Sequence, residues 1–120
     1  MNIEQLRQYC ISKKGATEDF PFDSDTLVFK VLNKVFALIS LDKWESGQKA
    51  INLKCDPDYA EELRHTYDAI NPGFHMNKKH WNTIDLSTDE ITAPFLTQLI
   101  DHSYEMVVKA MSKKMREALE

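Results

Sequence analysis

Glycine is scarce in this chain, with only Gly15, Gly47 and Gly73 among 120 residues. Phosphate-cradling loops need closely spaced glycines, so neither a P-loop nor a dinucleotide-binding turn can be built here. The two cysteines, Cys10 and Cys55, are far apart and lack the Cys-x2-Cys spacing of a zinc or redox motif. Reduced, buried thiols are expected rather than a disulfide. Long apolar runs are missing: the longest, Val35 to Ile39, has the length of a strand and not of a membrane span. The N-terminus, Met-Asn-Ile-Glu-Gln, has no basic-then-apolar signal pattern, which makes a cytoplasmic location the expectation. No serine lies in a Gly-x-Ser-x-Gly elbow and neither cysteine has a recognised catalytic context. No catalytic residue and no cofactor are therefore assigned.

Positive charge is also in deficit. Fifteen Lys and Arg stand against nineteen Asp and Glu, for a net charge of −4 and a pI near 5.5. Nucleic-acid-binding domains are commonly basic, so any polyanion site on this chain must be a local patch on an acidic body.

What is present is a single domain, residues 1–120, long enough for a core without staples. Asn2 caps a first helix carrying Ile3, Leu6 and Cys10 at helical spacing, with Gly15 placed to end it. Glu18 to Asp25 reads as a turn-rich connection in which Phe20 and Phe22 tuck onto the edge of the core. Two strands follow, Thr26–Val31 and Val35–Leu41, joined by a turn at Asn33-Lys34. The second is apolar on both faces, which suggests a central position. Asp42 to Gln48 reads as a polar loop. Ala50–Cys55 alternates as a strand with one wet face. Asp56-Pro57 opens a second helix, which ends near His65. A fourth strand is expected from about His80 to Leu86. Thr92 and Pro94 then start a last helix with the stripe Leu96, Leu99, Ile100, Ser103, Val107 and Met111. Ser112 can cap a final turn. The expected order is α-β-β-β-α-β-α, an α+β two-layer sandwich with helices on one face of an antiparallel sheet. Leu6, Phe36, Leu38, Leu53, Leu99, Ile100 and Val107 are expected to share one core.

The densest concentration of functional side chains follows the Pro72-Gly73 turn. His75, Asn77, Lys78, Lys79, His80, Trp81 and Asn82 bring imidazoles, ammonium groups, amides and an indole into one short stretch. Lysines and a protonated histidine meet phosphate, amides pair with base edges, and an indole offers a stacking face. As a purely structural loop, the same residues would pack Phe74, Met76 and Trp81 inward and leave the lysines to solvent. Lys54, Lys113, Lys114 and Arg116 supply a second basic patch. His75 and His80 are five apart, without metal-ligand spacing, so no metal site is assigned.

Several segments carry a resemblance to a known family. They are Phe20-Pro21-Phe22, Val28 to Val31 into Lys34 to Ala37, Asn52 to Pro57, Pro72 to Thr83, and Leu99 to Glu105. On these the chain resembles the YjbR/MmcQ family of small bacterial proteins over nearly its whole length. The resemblance implies a compact α+β fold of the frataxin (CyaY-like) type and a DNA-binding, double-wing role. It implies no catalytic motif. A frataxin-like shape also raises iron binding on an acidic first helix, yet this first helix carries one acid, Glu4, beside Arg7, Lys13 and Lys14. DNA is thus the expected partner. A small-ligand or protein-binding module using the same loop is the alternative, and an enzyme comes third. Oligomeric state and DNA sequence preference are left open.

Overall fold

The computed structural model describes residues 1–73 and 76–120. Asn2 accepts the Gln5 N–H while the Gln5 side chain returns to the Asn2 N–H, a reciprocal cap that starts α1, Ile3–Ile11. A short strand β1, Ala16–Asp19, precedes β2, Thr26–Val31, and β3, Lys34–Ser40. The Ser40 hydroxyl then caps a short helix α2, Leu41–Glu45. Next come β4, Ala50–Lys54, and α3, Pro57–Thr66, with Asp56 as its cap and proline in its first turn. The remaining elements are β5, Ile70–Pro72, β6, Trp81–Asp85, α4, Ala93–Lys109, and α5, Lys113–Glu117.

The six strands form one antiparallel sheet in the order β1-β2-β3-β4-β6-β5. The α+β class holds, and the element order is richer than α-β-β-β-α-β-α by β1, α2, β5 and a formed α5. The connection expected at Glu18 begins inside β1, and the polar loop after Leu41 is a helical turn that buries Trp44. No helix among the described residues is long and apolar enough to cross a membrane.

Three helices supply one apolar layer. Leu6 and Cys10 of α1, Ala60 and Leu63 of α3, and Leu96, Leu99, Ile100 and Val107 of α4 join Phe29, Phe36, Ile39, Ile51, Leu53 and Ile84 of the sheet in one cluster. Strands β4 and β6 alternate buried and half-buried residues, as expected for a sheet covered on one side.

Three local departures bear on the site. The β2–β3 turn is centred on Leu32 and Asn33, both at positive φ (47° and 67°), one residue earlier than Asn33-Lys34. The register between β2 and β3 shifts between Phe29 and Lys30, because Phe36 is an extra residue in β3. Phe36 and Ala37 are both fully buried, and the alternation changes phase there. As a result Leu38 leaves the expected core and lies on the opposite sheet face. Finally, Phe20 and Phe22 do not tuck inward. They are 45% and 70% exposed, held apart by Pro21.

Candidate functional site

The sheet face away from the helices carries a groove of about 510 Å³. Its floor is Val35, Leu38 and Ala50, with Asn52 and Thr83 beside them. Trp81, Met76 and Phe22 form its walls. Lys43 and Gln48 also line it. Val35 and Trp81 are shared with a second groove of about 410 Å³, lined also by Lys34, Lys54, Met111, Ser112 and Met115. The two therefore make one track across β3, β4 and β6 toward α5. Among the described residues, no Asp or Glu lines either part.

Elsewhere the charge is reversed. A groove of about 540 Å³ between α1, β1 and α2 is lined by Glu4, Glu18, Asp19 and Glu45 around Trp44 and Phe20. Its one cation among the described residues, Arg7, is held by Glu18 through Nε at 3.0 and 2.8 Å and through Nη2, with Glu4 at 3.2 Å from Nη1. The Glu18 hydrogen bond and charge raise the Arg7 pKa further. An anion would meet four lining carboxylates with Arg7 already engaged by two of them, so this groove is not where a polyanion would sit.

The loop expected to form the site is largely occupied with holding itself. Arg64, near the end of α3, donates from Nε to Asn82 Oδ1 at 2.7 Å, and from Nη2 to the carbonyls of Lys78 and Trp81. Asn82 is 2% exposed on the helix side of the sheet, so it is removed from the surface site assigned to it. Its Nδ2 is buried without a hydrogen-bond partner among the described residues. Lys78 turns back, its Nζ donating to the Gly73 carbonyl at 3.0 Å. Asn77 accepts the Lys79 N–H on its side chain and the Trp81 N–H on its carbonyl, at 2.9 and 3.0 Å, and so acts as a turn former. The His80 carbonyl takes the Cys55 N–H at 2.8 Å, which extends the β4–β6 pairing by a step. Lys79 stays exposed. His75 lies outside the described residues.

Trp81 is the loop residue that reaches the groove. It sits opposite Lys54 across the β4–β6 ladder, half-buried, with its side chain lining both parts of the track. Its backbone position is set by Gly73: a Cβ there would lie 2.8 Å from Trp81 Cβ and 3.0 Å from its carbonyl oxygen. The second basic patch divides as well. Lys54 lines the track, while Lys113, Lys114 and Arg116 are exposed on α5 beside it. Arg64, Asn52, Lys34 and Lys43 do not stand out in the sequence. Parity with the buried Ile84 is the signal that separates Trp81 and Thr83 from Asn82, and the same parity in β4 places Asn52 on the wet face.

No group of three or more His, Cys, Asp and Glu among the described residues is arranged to hold a metal. Burial pushes the thiols of Cys10 and Cys55 up to about 12, which leaves them protonated and unreactive near neutral pH.

The profile of the YjbR family matches residues 11–106 of the chain. The chain belongs to the YjbR family. It is 32% identical over 119 residues to YjbR of Escherichia coli K12, covering 99% of this chain and 98% of that one. Against YbdF of Escherichia coli O157:H7 it is 38% identical over 95 residues, 79% of this chain and 75% of the relative. The fold is similar to the crystal structure of Deinococcus radiodurans DR2400, a DUF419 domain, with TM-score 0.87 and 37% identity over 98% of this chain and 87% of that one. It is similar also to a Pseudomonas syringae crystal structure, with TM-score 0.74 and 29% identity over 89% and 99% of the two chains. The stretch matched to the YjbR family includes all six strands, and with them the groove floor and Trp81. It stops within α4, so α5 and its basic residues lie beyond it.

Proposed function

We propose that this YjbR-family protein binds DNA on the open sheet face, with Trp81 as its aromatic contact and Lys34, Lys43 and Lys54 near the backbone phosphates. One observation carries the reading. In a chain with more acids than bases, the track across β3, β4 and β6 is lined, among the described residues, by three lysines and no carboxylate. Phosphate attraction is the sequence-independent part of nucleic-acid affinity, and basic side chains along a track supply it. Lys79 and the α5 residues Lys113, Lys114 and Arg116 extend the positive region, whereas Lys78 and Asn82 are committed to the fold.

The CyaY-like likeness implied by the sequence would favour iron as a rival. The sole acid of α1, Glu4, already pairs with Arg7, which argues against that reading. A small-ligand site without nucleic acid is favoured by one feature, the apolar floor of a groove whose volume suits a compact molecule.

The test is a titration with labelled duplex and single-stranded DNA at several salt concentrations. Lys34→Ala with Lys54→Ala should weaken binding to all sequences and flatten the log–log salt slope by roughly 0.7–0.9 for each phosphate no longer neutralised. Lys14→Ala, outside both grooves, should change neither. Wild-type protein without salt-dependent affinity would refute the proposal. A salt-independent rise in Tm with an uncharged aromatic compound would instead support the small-ligand reading.

A further inference from the structure

Beside its apolar floor the groove carries the polar side chains of Asn52 and Thr83, with Thr26, Ser40, Lys43 and Gln48 further along its lining. Thr83 Oγ1 donates to Asn52 Oδ1, which fixes the amide and leaves Asn52 Nδ2 without a partner among the described residues. Lys43 is the charged residue of the lining, and no carboxylate among the described residues lines the space. An occupant that brings an acceptor can therefore pair with Asn52 Nδ2. Trp81 and Met76 stand over the same floor, and Val35, Leu38 and Ala50 close it below, so the occupant must also present a free apolar face. In duplex DNA those faces are covered by neighbouring base pairs, and exposing one costs a few kcal/mol. In a single strand the faces are free, and stacking on an aromatic side chain is available to any base.

We infer that the groove takes one unpaired, carbonyl-bearing nucleobase of a single strand, stacked on Trp81, with a base carbonyl oxygen accepting a hydrogen bond from Asn52 Nδ2. This rests on the nucleic-acid reading above and adds strandedness and base class to it. Thymine, uracil, cytosine and guanine carry such a carbonyl, and adenine does not. The adjoining groove continues the path: beyond Trp81, the next phosphates of the strand meet Lys34 and Lys54. Asn52 is a specificity residue in this scheme, and Thr83 positions it.

The experiment measures anisotropy of labelled oligothymidylate, oligoadenylate and a mixed duplex of equal length. Wild-type protein should bind oligothymidylate more tightly than the duplex. Oligoadenylate stacks on itself, so a thymidylate preference alone would not decide the matter; its dependence on Asn52 does. Asn52→Asp keeps the shape and the bond from Thr83 but replaces the N–H donors by an acceptor. It should reduce the thymidylate-to-adenylate ratio about 3- to 10-fold, the range of one hydrogen bond. Asn52→Ala, checked by thermal melting, should lower the ratio likewise while leaving the salt slope unchanged. Salt-dependent binding with the duplex equal to the single strand, or a ratio unmoved by both variants, would overturn this inference and leave the DNA reading standing. Absence of salt-dependent binding to any of the three would remove both.

Discussion

Ser103 offers the sharpest test of the packing that shapes the groove. The β3–β4 pairing runs Leu38↔Asn52, then Ala37↔Leu53, and the next pair would be Phe36 with Lys54. That pair is replaced by a side chain from α4. Ser103 Oγ donates to the Phe36 carbonyl at 2.6 Å and accepts the Lys54 N–H at 2.8 Å, with the serine fully buried. Ser103→Ala removes both hydrogen bonds and leaves the buried Phe36 carbonyl and the part-buried Lys54 N–H without their partner. Each such group costs about 1–3 kcal/mol, so the substitution should destabilise by about 2–6 kcal/mol. In urea, with a slope near 1.5 kcal/mol/M, the midpoint should fall by about 1–4 M with the slope unchanged. Hydrogen exchange gives a local reading, because the Lys54 amide should lose protection well before its neighbours in β4. A midpoint shift below about 0.3 M would mean that β3 and β4 close up and pair directly without the hydroxyl. The reasoning about the inserted serine would then be wrong.

Arg64→Ala should cost about 2–4 kcal/mol, since it strips a charged partner from buried Asn82 and from two loop carbonyls; a Lys substitute should not restore it, lacking the planar fork, and a rescue by lysine in urea melts would contradict the clamp. Leu99→Ala, at a site 4% exposed within the α4 stripe, should lose about 2–5 kcal/mol by the same assay, and a loss under about 0.5 kcal/mol would place the stripe at the surface. The thiols predict a pH dependence. Unfolded cysteine ionises near 9.0 while folded Cys10 and Cys55 do so at about 12, so between those values the unfolded chain binds fewer protons and stability falls as pH rises. The slope should approach about 1.4 kcal/mol per pH unit for each thiol and should shrink in Cys10→Ala; urea midpoints that stay level from about pH 9 to 10 would refute it.

The long elements are legible in the sequence because their signals are local and redundant. Asn2, Asp56-Pro57 and Thr92 cap the helices they are expected to cap. The strands with alternating or β-branched runs stand within a residue or two of their expected ends. The elements that sequence reasoning misses owe their existence to neighbours. Ala16–Asp19 has no strand composition and is ordered by pairing along β2, and Ile70–Pro72 is three residues held against β6. Leu38 falls on the face opposite to the expected one because a bulge at Phe36 shifts the alternation, and nothing in an unbroken apolar run marks where a bulge falls. The candidate loop misleads for a related reason. Lys78, Asn77 and Asn82 have the chemistry of a binding surface, but Arg64, Gly73 and Lys79 engage that chemistry in the turn itself. Only the parity of β6, which sends Asn82 inward with Ile84 and Trp81 outward, separates contact residues from scaffold.

The outermost strands carry a consequence of their own. β1 and β5 are only four and three residues long; β1 ends in Glu18 and Asp19, and β5 ends in Pro72, which has no N–H to offer. Short, charged or proline-bearing margins are poor templates for another strand. An apolar, open sheet would otherwise invite chains to add edge to edge into fibres, and these margins deny that growth at both ends.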